Sequence, residues 1–304
     1  MTIGQLLKQA TIKLRTKCIK FPHLEAEILL SSILKKPCEF ILSHSEYKLT
    51  NLQLTTYNLQ LTKRIHGKPI AYIIGEKEFY GLKFFVNKNV LIPRPETELM
   101  VDEAMSLITQ KDKIAIIDIG TGSGCIVIAL AKSIIHYQLR ITNYELFATD
   151  ISASALFIAK KNAKFHCLDK KIKFIKGNLL TPLINNAKFK IQNSKFIILA
   201  NLPYLTPTQI KNSPSIKYEP KNALNGGLNG LKLYEKLFKQ LKKFNELQAK
   251  SYQLTANSYI LCEFDPRQAI LIKKLIKKYL PQAKLQIKKD LSGLNRLAII
   301  TFIN

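Results

Sequence analysis

A chain of 304 residues with 47% hydrophobic content is long enough for about two domains, each with its own core. Its net charge of +26, from 47 Lys+Arg against 21 Asp+Glu, favours an acidic or nucleic-acid partner, or a place near a ribonucleoprotein, although the lysines are scattered through every segment and read more simply as compositional background than as a binding stripe. No apolar run reaches the ~18 residues of a membrane span, and the five cysteines, at 18, 38, 125, 167 and 262, form no C-x-x-C pair, so no membrane partner, metal site or disulfide framework is expected and the location expected is a reducing cytoplasm.

Ile3, Leu6, Leu7, Ala10 and Leu14 share one face of a first core helix, which is the better reading than a targeting peptide. Leu24, Ile28, Leu29 and Ile33 keep helical spacing up to Leu34-Lys35-Lys36-Pro37. A further periodic stretch runs from Leu49 to Ile65, with Leu52, Tyr57, Leu59 and Leu61 among its apolar residues, before Gly67 and Pro69 break it. Residues 1–70 are therefore expected to form a small helical domain for substrate recognition. Residues 71–98 read as extended. Ala71 to Gly75 and Phe79 to Val86 are expected to pair as a β-hairpin linker. Pro93 and Pro95 then stiffen Leu91 to Glu98, where Arg94 and Glu96 stand either in a site wall or in a plain linker. A helix is expected from Glu96 or Thr97 through Leu99, Val101, Ala104 and Leu107.

Residues 99–304 carry the remaining domain. Ile114 to Ile119 is a buried strand, and Gly120-Thr121-Gly122-Ser123-Gly124 joins it to a helix from Cys125 to Ser133. A glycine-rich turn there lets a nucleotide-like ligand approach the backbone and the helix N-terminus. The order G-x-G-x-G does not match the dinucleotide fingerprint in full. Asp118 is compatible with an adenosyl site. A second strand from Leu146 to Thr149 ends in Asp150, which can accept both ribose hydroxyls or cap the helix from Ser152 to Phe165. A third strand, Ile172 to Ile175, leads to Asn178 and Leu179, which either border an adenine or form a turn. Lys188 to Lys195 reads as a polar loop.

The fourth strand, Phe196 to Ala200, ends in Asn201-Leu202-Pro203-Tyr204. Ligands of parallel sheets gather beyond the carboxyl ends of the strands. Asn201 offers an amide carbonyl, Leu202 a backbone carbonyl, Pro203 a fixed φ and Tyr204 a flat face for stacking. Two acceptors beside an aromatic plate suit a planar –NH2 group. A simple strand-ending turn is the other reading of these residues. Tyr259 to Phe264 is the fifth strand. Leu285 to Lys288 and Leu297 to Phe302 flank the turn Ser292 to Asn295, so the last strand is expected to run antiparallel to its neighbour. The fold class expected is α/β, a doubly wound sheet with an antiparallel last strand plus a small N-terminal helical domain.

Tyr72-Ile73-Ile74-Gly75, Glu78 to Leu82, Leu91 to Glu98, Asp118 to Gly124, Asn201 to Tyr204, Tyr218-Glu219-Pro220 with Ala223-Leu224 and Gly226-Gly227, and Asp290-Leu291 with Gly293 and Arg296 occur in that order. Together they resemble the release-factor glutamine methyltransferases, along essentially the whole chain. The resemblance implies a Rossmann-like class I methyltransferase domain. It also implies methyl transfer from S-adenosylmethionine, with S-adenosylhomocysteine as product, to the amide N5 of the glutamine in the Gly-Gly-Gln loop of peptide chain release factors, free or ribosome-associated. No direct nucleic-acid partner is expected on this reading. Carried over by position, Gly120, Thr121, Gly122, Ser123, Gly124, Asp150, Leu179 and Asn201 would bind the cofactor. Asn201, Leu202, Pro203 and Tyr204 would bind the substrate amide and carry catalysis. The family usually has Pro where this chain has Leu202, and Asp where it has Asn229. The first position acts through a backbone carbonyl, which Leu keeps, and the second is expected to be structural. A glutamine methyltransferase of a ribosomal protein and a nucleic-acid amino-methyltransferase, which shares an Asn-x-Pro-aromatic motif, are the alternatives.

Overall fold

Residues 1–109, 113–137, 144–184, 195–247 and 258–302 are described by the computed structural model. They fall into two units, Met1–Glu76 with Pro214–Tyr218, and Lys77–Ser213 with Glu219–Asn304. The first unit holds α1 (Ile3–Arg15), α2 (Pro22–Leu34), α3 (Cys38–Ser43), α4 (Asn51–Ile65) and α5 (Ile70–Ile74). Reciprocal caps start two of these helices: Thr2 with Gln5 on α1, and Thr50 with Gln53 on α4. The apolar face of α1 is buried as its spacing predicts. On α4 Tyr57 and Leu61 are buried, with Leu54 and Ile65 packed against the same core, while Leu52 and Leu59 stay 77% and 58% exposed. Tyr57 donates its hydroxyl to Ala26 O at 3.1 Å, and Arg64 pairs with Glu25, so α2 and α4 are joined by polar as well as apolar contacts.

The expected strand from Ala71 to Gly75 is instead the short helix α5. Pro69 stands at its N-cap and Gly75, at φ +84°, closes it with an N–H bond to Ala71 O. Its β-branched residues pack Ile70, Ile73 and Ile74 onto the helical core, and that burial outweighs their strand preference. The hairpin lies wholly inside the next run, as β1 (Glu76–Phe79) and β2 (Leu82–Phe85). It turns at Tyr80 and Gly81, both at positive φ, the conformation a two-residue primed turn requires.

In the second unit α6 (Glu98–Ser106) follows a 3-10 turn at Pro95–Thr97. Then come β3 (Ile114–Ile119), α7 (Cys125–His136), β4 (Tyr144–Asp150), α8 (Ala153–Phe165), β5 (Ile172–Lys176), α9 (Thr181–Ile184) and β6 (Lys195–Ala200). The chain continues with α10 (Pro207–Lys211), α11 (Lys232–Leu247), β7 (Tyr259–Glu263), α12 (Ala269–Tyr279), β8 (Lys284–Lys289) and β9 (Asn295–Thr301). The expected polar loop from Lys188 lies outside the described residues except for its last member, Lys195, which opens β6. The seven strands order as β5-β4-β3-β6-β7-β9-β8. β9 runs antiparallel to β7 and β8, inserted between them, and the other neighbours are parallel. β3 and its neighbours are buried on both faces, under two apolar layers.

Strand order reverses between β3 and β6, which makes the crevice past their carboxyl ends the ligand position of such sheets. The register there aligns four strand ends. Ile119 pairs with Thr149 and with Ala200, and Ala200 pairs with Cys262. The next residues along, Asp150, Gly120, Asn201 and Glu263, therefore stand side by side at the carboxyl edge of the sheet. In the helical unit Leu29 is fully buried, so Leu29→Ala should destabilise the protein by about 2–5 kcal/mol. Urea unfolding checks this, and an unchanged midpoint would contradict the packing described for that core.

Candidate functional site

A cavity of about 470 Å³ opens past the strand ends, within the second unit, in the size range of small-molecule sites. Its walls include Gly120, Thr121, Gly122 and Ser123 of the glycine turn, Asp150 at the end of β4, Leu179 after β5, and Asn201, Leu202 and Pro203 after β6. Asn178 and Arg94 line it too, while Glu96, Asp118, Gly124 and Tyr204 do not.

The glycine turn wraps the end of β4. Gly120 and Thr121 donate N–H bonds to Thr149 O at 2.8 and 3.0 Å, and Gly122 donates to Asp150 Oδ2 at 2.9 Å. Gly120, Gly122 and Gly124 all sit at positive φ, open to glycine at little steric cost. Gly124 serves packing: a Cβ there would stand 3.0 Å from Ile128 and 3.2 Å from Ala159, where α7 meets α8. Asp118 is buried beneath the turn, bound through Oδ2 by the Thr121 hydroxyl at 2.6 Å. Burial pushes its carboxyl up to about 7. Asp150 does not cap α8; Ser152 does, accepting from Ala155 N. Asp150 accepts Ser152 N–H at 2.8 Å on Oδ1 and Gly122 N–H on Oδ2. Each carboxylate oxygen thus keeps lone-pair capacity. Burial raises this carboxyl, against the pull of those N–H groups.

Asn201 is held by residues from two other segments. Its Nδ2 donates to Thr97 Oγ1 at 3.0 Å and to Glu263 Oε2 at 3.1 Å. Glu263 is buried and also accepts the Tyr204 hydroxyl on Oε1 at 3.0 Å. Burial raises the Glu263 carboxyl, opposed by bonds from Thr97 and Tyr204 and by the charge of Arg296. Tyr204 does not line the cavity, and its hydroxyl is bound to Glu263. Leu202 is buried, and its Cδ2 lies 3.2 Å from where a Cβ on Gly120 would stand. No group among the described residues donates to Asn201 Oδ1 or to the Leu202 carbonyl.

Beyond Thr97 and Glu263, further supports of the turn carry no local mark in the sequence. Tyr234 of α11 is fully buried; its hydroxyl accepts Leu202 N–H at 3.1 Å and meets the carbonyls of Ala200 and Glu263. Gln268 donates to Tyr204 O at 2.7 Å and to Asn229 O at 3.2 Å. Gly226 and Gly230 lie so close that a Cβ would stand 2.6 Å from Pro203 O and 2.2 Å from Tyr204 O, respectively. Asn229 is structural as expected, its side chain accepting Leu231 N–H at 3.0 Å. Glu219 binds Ile92 N–H at 3.2 Å and Arg94, fixing the proline-rich wall. A carboxylate closing an otherwise apolar strand, Tyr259 to Glu263, was the one local sign that pointed to Glu263.

The strand order, the switch-point cavity and the glycine turn define a Rossmann-like methyltransferase. Residues 5–75 match the family model described as the PrmC N-terminal domain, and residues 110–285 match a methyltransferase domain. The chain is 33% identical over 296 residues to the release factor glutamine methyltransferase of Coxiella burnetii, covering 96% of this chain and 98% of that protein. It belongs to the release factor glutamine methyltransferase family. The Bacillus anthracis member is 33% identical over 276 residues, covering 89% of each chain. The bifunctional methyltransferase of Rickettsia prowazekii is 33% identical over 324 residues, and the match takes in all of this chain but only 58% of that protein. Among solved structures, the catalytic domain of hMettl16 in complex with MAT2A 3′UTR hairpin 1 superposes with a TM-score of 0.55 at 14% identity, covering 90% of this chain and 91% of that one. That likeness is one of fold.

Tyr234→Phe would leave the buried Leu202 N–H without its acceptor. A loss of about 1–3 kcal/mol is expected, read as a lower thermal midpoint. A midpoint equal to wild type would show that another group takes over this N–H.

Proposed function

We propose that this chain transfers a methyl group from S-adenosylmethionine to the amide N5 of the glutamine in the Gly-Gly-Gln loop of peptide chain release factors, in the cytoplasm. The observation that carries this reading is the pair of unclaimed acceptors at the end of β6, Asn201 Oδ1 and the Leu202 carbonyl, beside the cavity. Two acceptors at adjacent positions suit the two N–H bonds of a carboxamide. The substrate class is taken from the relatives' names.

The residues present fit the cofactor. The turn Gly120 to Gly124 admits a nucleoside close to the backbone, although Gly124 contributes packing alone. Asp150 retains lone pairs for two ribose hydroxyls, and Leu179 supplies an apolar wall for a base. When bound, S-adenosylmethionine supplies a methyl group on a sulfonium centre. An amide nitrogen is a weak nucleophile because its lone pair is delocalised into the carbonyl. Asn201 Oδ1 and the Leu202 carbonyl would accept the two N–H groups, favour positive charge on the nitrogen and aim its lone pair. Pro203 limits the motion of the turn, and the packing of Leu202 on Gly120 joins the substrate side to the glycine turn. Tyr204 acts through Glu263 rather than by stacking. No strong base is called for, since the nitrogen's proton becomes acidic only after transfer.

Mass spectrometry of a release factor incubated with the protein and S-adenosylmethionine should show one added methyl on the Gly-Gly-Gln glutamine. Label appearing instead on a ribosomal protein or on RNA would replace this reading. Asn201→Ala should slow transfer at least ~100-fold at saturating S-adenosylmethionine, the scale of one preorganised polar group, a loss larger than any change in cofactor affinity read by calorimetry. Near-normal turnover in that variant would remove the mechanism.

A further inference from the structure

The Asn201 carboxamide is useful to an –NH2 substrate only in one of its two orientations. Rotated by half a turn, it would present two N–H donors to the cavity in place of an acceptor. Nothing in the shape of an amide chooses between these, because its oxygen and nitrogen ends are nearly the same size. The choice is made behind the site. Glu263 stands at the end of β7, one register position across from Asn201, and is 1% exposed. An ionised carboxylate has lone pairs only, so the amide end facing it must be the nitrogen. The observed contacts use both Nδ2 hydrogens, one on Glu263 Oε2 and one on Thr97 Oγ1.

We infer that Glu263, together with Thr97, is a positioning residue that locks the Asn201 carboxamide with Oδ1 toward the substrate. This role rests on the function proposed above. Glu263 itself does not line the cavity, so it acts through Asn201. It is faced by Thr97 and Glu96 from the 3-10 turn, by Tyr204 from the β6 turn, by Arg296 from β9, and by the Tyr234 hydroxyl of α11 at its backbone carbonyl. Arg296 is shared with Asp290, at 3.0 Å. Burial dominates this balance and raises the Glu263 carboxyl. Protonation places an O–H among groups arranged to donate, and the lock is released. Because burial raises this carboxyl, the lock is lost sooner on acidification than it would be with an ordinary, exposed carboxylate.

The test is a double-mutant cycle on single-turnover methyl transfer to a release factor, at saturating S-adenosylmethionine. Glu263→Gln keeps the shape but can present either end of an amide. It should slow transfer at least ~10-fold in the wild-type background and less than ~2-fold in Asn201→Ala, since coupled residues do not add. Cofactor affinity by calorimetry should stay within about 2-fold. The acid limb of the wild-type pH profile should flatten in Glu263→Gln, leaving only what Asp118 and Asp150 contribute. Thr97→Val, which keeps the branched shape and removes the hydroxyl that accepts from Asn201 and donates to Glu263, should slow transfer in the same direction and is also silenced by Asn201→Ala. It decides the matter if Glu263→Gln does not fold. A wild-type rate in these variants, or an equal loss in both backgrounds, overturns the positioning role while leaving the proposed function intact. Wild-type protein that leaves the glutamine unmethylated overturns that function, and this role falls with it.

Discussion

The site depends on the register of four parallel strands. Because Ile119 is level with both Thr149 and Ala200, and Ala200 with Cys262, the residues that follow emerge in one row. Asp150, Gly120, Asn201 and Glu263 come from separate stretches of sequence, yet the sheet's hydrogen bonds place them in line. Side chains alternate in direction along a strand, so a slip of one residue would turn every inward group outward. Two apolar layers guard against that slip, since strands such as Ile114–Ile119 are buried on both faces. The chemistry proposed for the cavity is thus a by-product of how the core packs.

Around that row, the turn after β6 is held from several sides. Tyr234 binds its backbone from below, Gln268 takes the Tyr204 carbonyl, and the segment through Gly226 and Gly230 presses against Pro203 and Tyr204 with no space for a side chain. Such support holds the turn although Leu202 stands where the resemblance implies Pro. Proline would restrict one dihedral by covalent means. Here the leucine is buried and packs on Gly120, so packing supplies part of the stiffness.

Much of this was legible in the residues. The strands were marked by short β-branched runs, the glycine turn by its spacing, and the acid of β4 by its place at a strand end. The tetrapeptide stood out because Asn, Pro and Tyr follow a buried strand directly. What stayed hidden had two physical causes. Glu263, Thr97 and Tyr234 act across 62, 104 and 32 residues of sequence separation, to Asn201 and Leu202, and no local pattern encodes such pairings. Ile70 to Ile74 carry strand-forming side chains, yet Pro69 and Gly75 bound them as a helix and the helical core buries them.

The satisfied amide of Asn201 has a consequence for selectivity. With both of its N–H groups committed to Thr97 and Glu263, the Asn201 amide has lone pairs alone left to offer a ligand. On the proposed reading, a glutamate in place of the target glutamine would bring a negative charge up to two oxygens and find no donor there. Deamidation, which replaces the –NH2 of that side chain by O−, would on the same reading turn attraction into repulsion.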